Sequence, residues 1–291
     1  MSFDPEEHRR SSLEDWEEAA PGWVAQQKLM RDFAAPVSHW MVNAISPQPG
    51  QRVLELAAGL GETAMLAAEL VAPMGGVIVS DQAEAMLAGA RARAIELSLN
   101  NIEFQVLNAE WIDLPLASVD AVLCRWGYML MADPATALGE TRRVLRPGGR
   151  LALAVWDAIE HNPWAELPAR ELRERDPAPE VGGDPAEGTA AAEPGPFALG
   201  SPERVIALLE EAGFAEIEVE ALDLLRRHQD FEELWETTLD LSRNFHDAIL
   251  SRPEPEIAEI KASLAERLAP YTAGDGTLAI PGRTLLASAS A

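Results

Sequence analysis

Between Gln51 and Trp156 the chain switches between two hydrophobic rhythms. Short apolar runs occupy Arg52–Ala57, Gly76–Asp81, Glu103–Leu107, Val119–Cys124 and Arg150–Trp156. Runs of this kind predict strands buried on both faces, because a half-exposed strand would alternate strictly. The stretches between them have helical period. In Gln82–Leu97, Met86, Ala90, Ala94 and Leu97 recur at spacings of 4, 4 and 3, which puts them on one helix face. Asp133-Pro134 predicts a helix start, and Arg146-Pro147-Gly148-Gly149 predicts that helix's stop. Alternating strands and helices with short links predict a parallel sheet covered on both faces.

The flanks read differently. Residues 12 to 45 predict helices, with Trp16, Trp23, Leu29, Phe33, Trp40 and Ile45 recurring among polar residues, and Pro47-Gln48-Pro49-Gly50 ends them. After Trp156 the rhythm fails. Residues 176 to 200 are rich in proline and glycine and carry five acids and no base, which predicts a mobile loop, either a tether or a gate over a pocket. Ser201-Pro202 starts another helix, striped by Val205, Leu208, Leu209 and Ala212 and ended by Gly213. Phe214–Leu222 alternates like a strand.

Asp230 and Glu233 resemble a capping box, followed by one helix with Phe231, Leu234, Thr238, Leu241, Phe245 and Ile249 on a single face. A second helix at Glu256–Leu268, a turn at Gly274-Asp275-Gly276 and a terminal strand at Thr284–Ser290 complete the pattern. The two inserted helices have apolar faces that must cover something. With the N-terminal helices they either roof the C-terminal edge of the sheet or extend its core.

Composition narrows the class. The chain has 291 residues, 47% hydrophobic, enough for a full core. No apolar run approaches the roughly 18 residues of a membrane span. The first residues are polar and acidic, unlike a signal peptide, so a cytoplasmic protein without membrane attachment is expected. A net charge of −25, with Lys28 and Lys261 the only lysines, argues against nucleic acid as partner. It also favours a neutral or cationic ligand over an anionic one. Cys124, alone and within an apolar run, reads as a buried structural thiol. The histidines His8, His39, His161, His228 and His246 have no metal-binding spacing, so no metal is expected. Oligomeric state has no signature in the sequence.

The chemistry concentrates in Val53-Leu54-Glu55-Leu56-Ala57-Ala58-Gly59-Leu60-Gly61-Glu62-Thr63-Ala64. A strand runs into two glycines and then a helix, and Asp81 closes the next strand twenty residues after Gly61. That arrangement suits an adenosine-containing cofactor. Gly59, Gly61 and Ala64 also fit the dinucleotide pattern G-x-G-x-x-A. Glu55 separates the readings: a carboxylate beside the turn would repel a pyrophosphate and suits a cofactor bearing an α-amino group. The fourth strand leads into Arg125-Trp126-Gly127-Tyr128, which would flank the cofactor.

These residues, with Met86, Asn108-Ala109-Glu110 and Val144-Leu145-Arg146-Pro147-Gly148-Gly149-Arg150-Leu151, resemble the class I S-adenosylmethionine-dependent methyltransferases, of the type related to the ubiquinone/menaquinone C-methyltransferases. The resemblance covers roughly residues 40 to 222 and the terminal strand. It implies an α/β fold with a Rossmann-like, mostly parallel seven-stranded sheet, an antiparallel terminal strand, helices on both faces and an added helical lid. The implied organisation is a helical cap over 1–46, a cofactor-binding core from 47–157, 201–222 and 277–291, and lid segments at 158–200 and 223–276.

The resemblance also implies roles. Glu55 faces the methionine amino group, the backbone from Ala57 through Gly59 to Gly61 packs on the methionine and ribose, and Asp81 accepts from both ribose hydroxyls. Gln82 and Met86 border the adenine, Asn108 and Ala109 meet its edge, and Arg125 and Trp126 lie beside the methionine chain. Ala57 stands where the family more often has glycine, and Asn108 where it has aspartate. S-adenosylhomocysteine would be the product.

The expected activity is methylation of a small, hydrophobic or aromatic molecule at O, N or C. No base is compulsory, since the donor is already activated. His161 is the base candidate and Tyr128 could orient an acceptor; a structural role is the plainer reading of each. Trp23, Trp126, Trp156, Trp164 and Trp235 would suit an aromatic acceptor if they share a pocket wall, although tryptophan is ordinarily core. Two other classes stay open: a nucleotide-dependent oxidoreductase, and a non-catalytic binding or regulatory module on the same fold.

Overall fold

The computed structural model describes residues 3–176 and 193–291. The loop expected at 176–200 falls largely outside the described residues. The sheet is built from β1 (Arg52–Glu55), β2 (Gly76–Asp81), β3 (Ile102–Val106), β4 (Val119–Arg125), β5 (Leu145–Trp156), β6 (Ala215–His228) and β7 (Leu278–Ser290). Their spatial order is β3-β2-β1-β4-β5-β7-β6. β7 lies antiparallel between β5 and β6, and the remaining pairings are parallel.

This order locates the ligand edge. From β1 the chain steps outward in one direction through α3 (Glu62–Val71) and α4 (Glu84–Glu96), and from β4 in the other through α5 (Pro134–Val144) and α7 (Pro202–Glu211). Right-handed crossovers taken in opposite directions put the two helix pairs on opposite faces. The crevice opens where the direction reverses, between the C-terminal ends of β1 and β4. The core beneath it is the expected one: Val53, Leu54, Val77, Ile78, Val79, Val122 and Leu123 are buried completely. Leu97, by contrast, is exposed rather than on the buried face of its helix.

Local chemistry sets the helix starts. The side chains of Asp133, Ser201 and Asp230 accept from Thr136, Arg204 and Glu233 amides at 3.0, 3.3 and 2.9 Å. The same chemistry corrects one expectation. The helix read through 231–249 is two, α8 (Phe231–Leu241) and α9 (Arg243–Leu250). Ser242 is extended between them and caps the second through Phe245 N, so local side-chain bonding overrides an apolar stripe that continues across the break.

β6 also runs past Leu222, to His228, with Leu224, Arg226 and His228 facing inward. Two polar residues on the inner face broke the alternation that marks a strand. β7 likewise begins at Leu278, before Thr284.

The inserted helices number three, with α10 (Glu254–Leu268) following α9. They bury Leu234, Trp235, Phe245, Ile260 and Leu264 in a second core against the ends of β6 and β7. Glu171 on α6 (Pro163–Arg175) joins α10 through Ser263 Oγ at 2.7 Å and Arg267 Nε at 2.9 Å. They extend the fold rather than roof the crevice.

The roof is α1 (Pro5–Ala25) with the start of α2 (Gln27–Ile45). Glu17 on α1 accepts from the free amides of Glu84 and Ala85 at the start of α4, at 2.6 and 3.1 Å. That is a favoured place for an acid. Where α1 crosses α8, a Cβ on Gly22 would stand 2.4 Å from Asp240 O. Among the described residues no helix is long and apolar enough to cross a membrane.

The Gly22 crossing yields a prediction. Gly22→Ala should force α1 away from α8 and lower stability in urea unfolding by about 1–3 kcal/mol, the usual cost of overpacking. Wild-type stability in the variant would show that α1 does not need this close approach.

Candidate functional site

The turn after β1 is made of left-handed residues. Ala57, Gly59 and Gly61 have φ of +48, +53 and +72°. Such backbone needs external fastening. Ala58 N donates to Ser80 O at 2.9 Å, and Gly59 N donates to Asp81 Oδ2 at 2.8 Å. The other Asp81 oxygen accepts from Ala83 N at 3.0 Å. One carboxylate therefore joins the glycine turn to the loop that opens α4. Burial pushes Asp81's pKa up, and the amides of Ala83, Gly59 and Gln82 oppose this. A Cβ built on Gly59 would meet nothing within 4 Å, because the turn opens onto a cavity.

This cavity lies between the glycine turn and the N-terminal helices that cover it. Ala57, Gly59, Asp81, Gln82, Met86, Asn108, Ala109, Arg125 and Trp126 all border it, so the structure gathers nine dispersed sequence positions at one place. Glu55 and Gly61 stand behind its wall. Glu55 is buried and turned toward α3, accepting from Ala64 N at 2.8 Å. Its carboxyl is raised from 4.5 to about 7, chiefly by burial, with Arg125 pulling the other way.

Burial likewise lowers Arg125's pKa. Its Nε and Nη1 are buried with no hydrogen-bond partner, while its guanidinium carbon lies 4.9 Å from the Trp126 ring. Cys124, behind this wall, is pushed up to about 12 by burial and stays an inert thiol.

Trp126 itself is held in a left-handed conformation, φ +60°. For so bulky a residue this is strained, at a cost of order 1–3 kcal/mol. Its indole N–H donates to Thr284 Oγ1 on β7 at 3.0 Å. Its ring stacks on Trp156 with centroids 4.4 Å apart and 14° between planes. Trp164 packs on Trp156 at a tilt of 57°, with centroids 4.9 Å apart.

The roof residues carried no motif. His8 Nε2 meets Leu130 O at 2.9 Å, and Arg9 Nε donates to Glu110 Oε2 at 3.0 Å. The other Glu110 oxygen accepts from Ala132 N at 3.0 Å. Gln82 Nε2 reaches Ser12 Oγ at 3.1 Å, and Gln27 Nε2 reaches Glu62 Oε1 at 3.0 Å. Trp16, Trp23, Met30 and Arg31 complete the cover. The one sequence signal for it is the pair Trp16 and Trp23, two helical turns apart and 5.5 Å between ring centroids.

Several candidates lie elsewhere. Tyr128 is fully buried, its hydroxyl 2.6 Å from Thr141 Oγ1, so it is a core residue. His161 is half-exposed, pairs with Asp157 at 2.8 Å and does not border the cavity. Trp235 belongs to the second core, edge-on to Phe245 at 5.4 Å. Trp156 and Trp164 back Trp126 without lining the cavity. Of the tryptophans proposed for a pocket wall, Trp23 and Trp126 reach it. No group of three or more potential metal ligands occurs among the described residues.

Known proteins share these features. The sequence profile of a methyltransferase domain matches residues 47–181. Aklanonic acid methyltransferase of Streptomyces sp. (strain C5) is 34% identical over 43% of this chain and 57% of its own. A ubiquinone/menaquinone biosynthesis C-methyltransferase of Hahella chejuensis is 34% identical over 44% of this chain and 54% of its own. The chain thus spans about half the length of the curated relatives it matches. Among solved structures, the YcgJ protein of Bacillus subtilis superposes with a TM-score of 0.56 and 20% identity over 87% of this chain and 97% of its own, a likeness of fold. With its β3-β2-β1-β4-β5-β7-β6 sheet and its glycine turn answered by Asp81, this chain is similar to the class I S-adenosylmethionine-dependent methyltransferases, and the methyltransferase-domain match spans residues 47–181.

Proposed function

We propose that the protein transfers the methyl group of S-adenosylmethionine to a small acceptor with an apolar or aromatic body, at oxygen, nitrogen or carbon. The observation that carries this reading is Arg125, which borders the cavity together with Asp81 and whose buried Nε and Nη1 have no hydrogen-bond partner. A buried, unpaired guanidinium is costly, and a carboxylate placed there relieves it. The methionine carboxylate is suited to that position. Asp81 donates nothing when ionised and keeps free lone pairs beyond its two amides, enough for two ribose hydroxyls. Gln82, Met86, Asn108 and Ala109 then enclose the adenine. Asn108 Oδ1 already accepts from Glu110 N at 2.8 Å, so it shapes its own turn as well.

The bound cofactor supplies an activated methyl group on sulfur. The chain's task is to align the acceptor with it and to exclude water. Trp126, fixed by Thr284 and the Trp156 stack, offers a rigid aromatic face beside Arg125. Phe33, 6.2 Å from Trp126 and Trp156, makes that side apolar. The latches of α1 close the cavity from above.

Calorimetric titration with S-adenosylhomocysteine tests the cofactor half. Asp81→Ala should weaken binding at least tenfold, about 1.4 kcal/mol, and a panel of phenolic, amine and carbon-acid acceptors should reveal methyl transfer in the wild type. Unaltered binding in Asp81→Ala, or no binding by the wild type, would remove the proposal.

Glu55 gives a second test. Its folded pKa near 7 lies above the ordinary 4.5, so the neutral form is favoured by folding. That contribution is whole below pH 4.5 and is lost as pH rises to about 7. Two and a half pH units correspond to about 3 kcal/mol. Glu55→Gln should therefore match the unliganded wild type near pH 4 and exceed its stability by up to about that amount at pH 8. Parallel stability curves for the two proteins would show that Glu55 is not held in its neutral form.

A further inference from the structure

The inner face of β6 ends in charge rather than in apolar residues. β6 is parallel to β4 and β5 through the intervening β7, so its last residues reach the same sheet edge as Asp81 and Arg125. There Arg226 and His228 alternate inward after Leu224 and are 7% and 3% exposed. The Arg226 guanidinium carbon lies 5.4 Å from the ring centroid of Trp164, its Nε has no hydrogen-bond partner, and no ion pair with an acid forms among the described residues. Burial alone shifts it, down to about 10.

Both ring nitrogens of His228 are also buried and unpartnered. Burial and the neighbouring Arg226 push its pKa down to about 4, so it is neutral and free to donate from one nitrogen. Glu233 is no counterion for this pair. Its carboxylate is 3.8 Å from His228 Nδ1, beyond hydrogen-bond reach, and holds Gln229 N at 2.6 Å. One turn along α8 from Glu233, the Thr237 hydroxyl is fully buried and unpartnered too.

Native proteins rarely leave a buried guanidinium without an anion, and orphaned donors clustered around one mark a place where a ligand completes the bonding. A chain of aromatic contacts connects this place to the cavity wall. Trp126 borders the cavity, Trp156 stacks on it, Trp164 packs on Trp156, and Arg226 lies over Trp164.

We propose that Arg226, assisted by His228, binds an anionic group, carboxylate or phosphate, carried by the methyl acceptor, whose apolar body packs against Trp164 beneath that guanidinium. The proposal rests on the methyl-transfer reading for the identity of the ligand as acceptor. It reverses the expectation, drawn from net charge, that a neutral or cationic acceptor is preferred: one buried cation without an acid partner among the described residues outweighs a diffuse, solvent-screened field. A guanidinium presents a planar fork suited to either anion.

The test uses the full chain saturated with S-adenosylhomocysteine. Benzoate, phenyl phosphate and neutral benzamide are titrated by calorimetry. At least one of the two anions should bind tenfold or more tightly than benzamide, and which one does so separates carboxylate from phosphate. Arg226→Met should abolish that preference while leaving the affinity for S-adenosylhomocysteine within twofold.

The same variant should unfold at a higher temperature than the ligand-free wild type, because it removes a buried charge that no acid among the described residues neutralises. Equal binding of all three probes, an anion preference that survives Arg226→Met, or a lowered unfolding temperature would each overturn the proposal; the last would show a structural counterion. Failure of the wild type to bind S-adenosylhomocysteine would instead sink the methyl-transfer reading. The probe series repeated on the ligand-free chain would then still decide the anion site.

Discussion

Everything at the cavity hangs on the buried carboxylate of Asp81. Its two oxygens take the amides of Gly59 and Ala83, which belong to different crossovers of the sheet. A turn of three left-handed residues has little intrinsic preference for its shape, and Ala57 within it carries a Cβ in a region that disfavours one. The bond from Asp81 lends the turn the rigidity of β2. The bonded geometry also leaves the carboxylate presented to the cavity, so the group that organises the backbone is the group placed to read a ligand.

Much of the sheet was legible because strands buried on both faces leave continuous apolar runs that no surface segment imitates. The glycine turn and Asp81 were legible because few backbones demand that spacing. What was hidden had definite causes. Arg226 and His228 point inward and so disguise the last third of β6 as loop. Ser242 ends a helix whose apolar stripe carries on regardless. His8, Arg9 and Ser12 face the cavity from α1 with polar side chains, and a helix face turned to a polar cavity looks in sequence like one turned to water. Aromatic residues were the least informative. Tyr128, Trp126 and Trp235 are all buried, yet they occupy the main core, the cavity wall and a separate core, and nothing in residue type distinguishes those places.

The chain therefore divides its labour by layer. The sheet and its crossovers form the wall of the cavity, whereas α1 covers it and the segment from α8 to α10 builds a second core. The second core is independent in its packing but continuous with the sheet through β6 and β7, and Trp164 touches both cores. Its burial gives the far end of the aromatic stack a rigid backing. The strongly acidic surface is compatible with this arrangement because the two arginines that matter, Arg125 and Arg226, are withdrawn from it.

The bond between Trp126 and Thr284 has a temporal meaning. Trp126 lies at the end of β4, whereas Thr284 belongs to β7, which is inserted between strands made earlier. As the polypeptide leaves the ribosome, the glycine turn, Asp81 and Arg125 are present long before the partner that fixes the strained indole. A nascent chain would own the Asp81 and Arg125 side of the cavity without its aromatic face. Completion of the cavity wall thus waits on the insertion of β7, which couples it to the closure of the whole sheet.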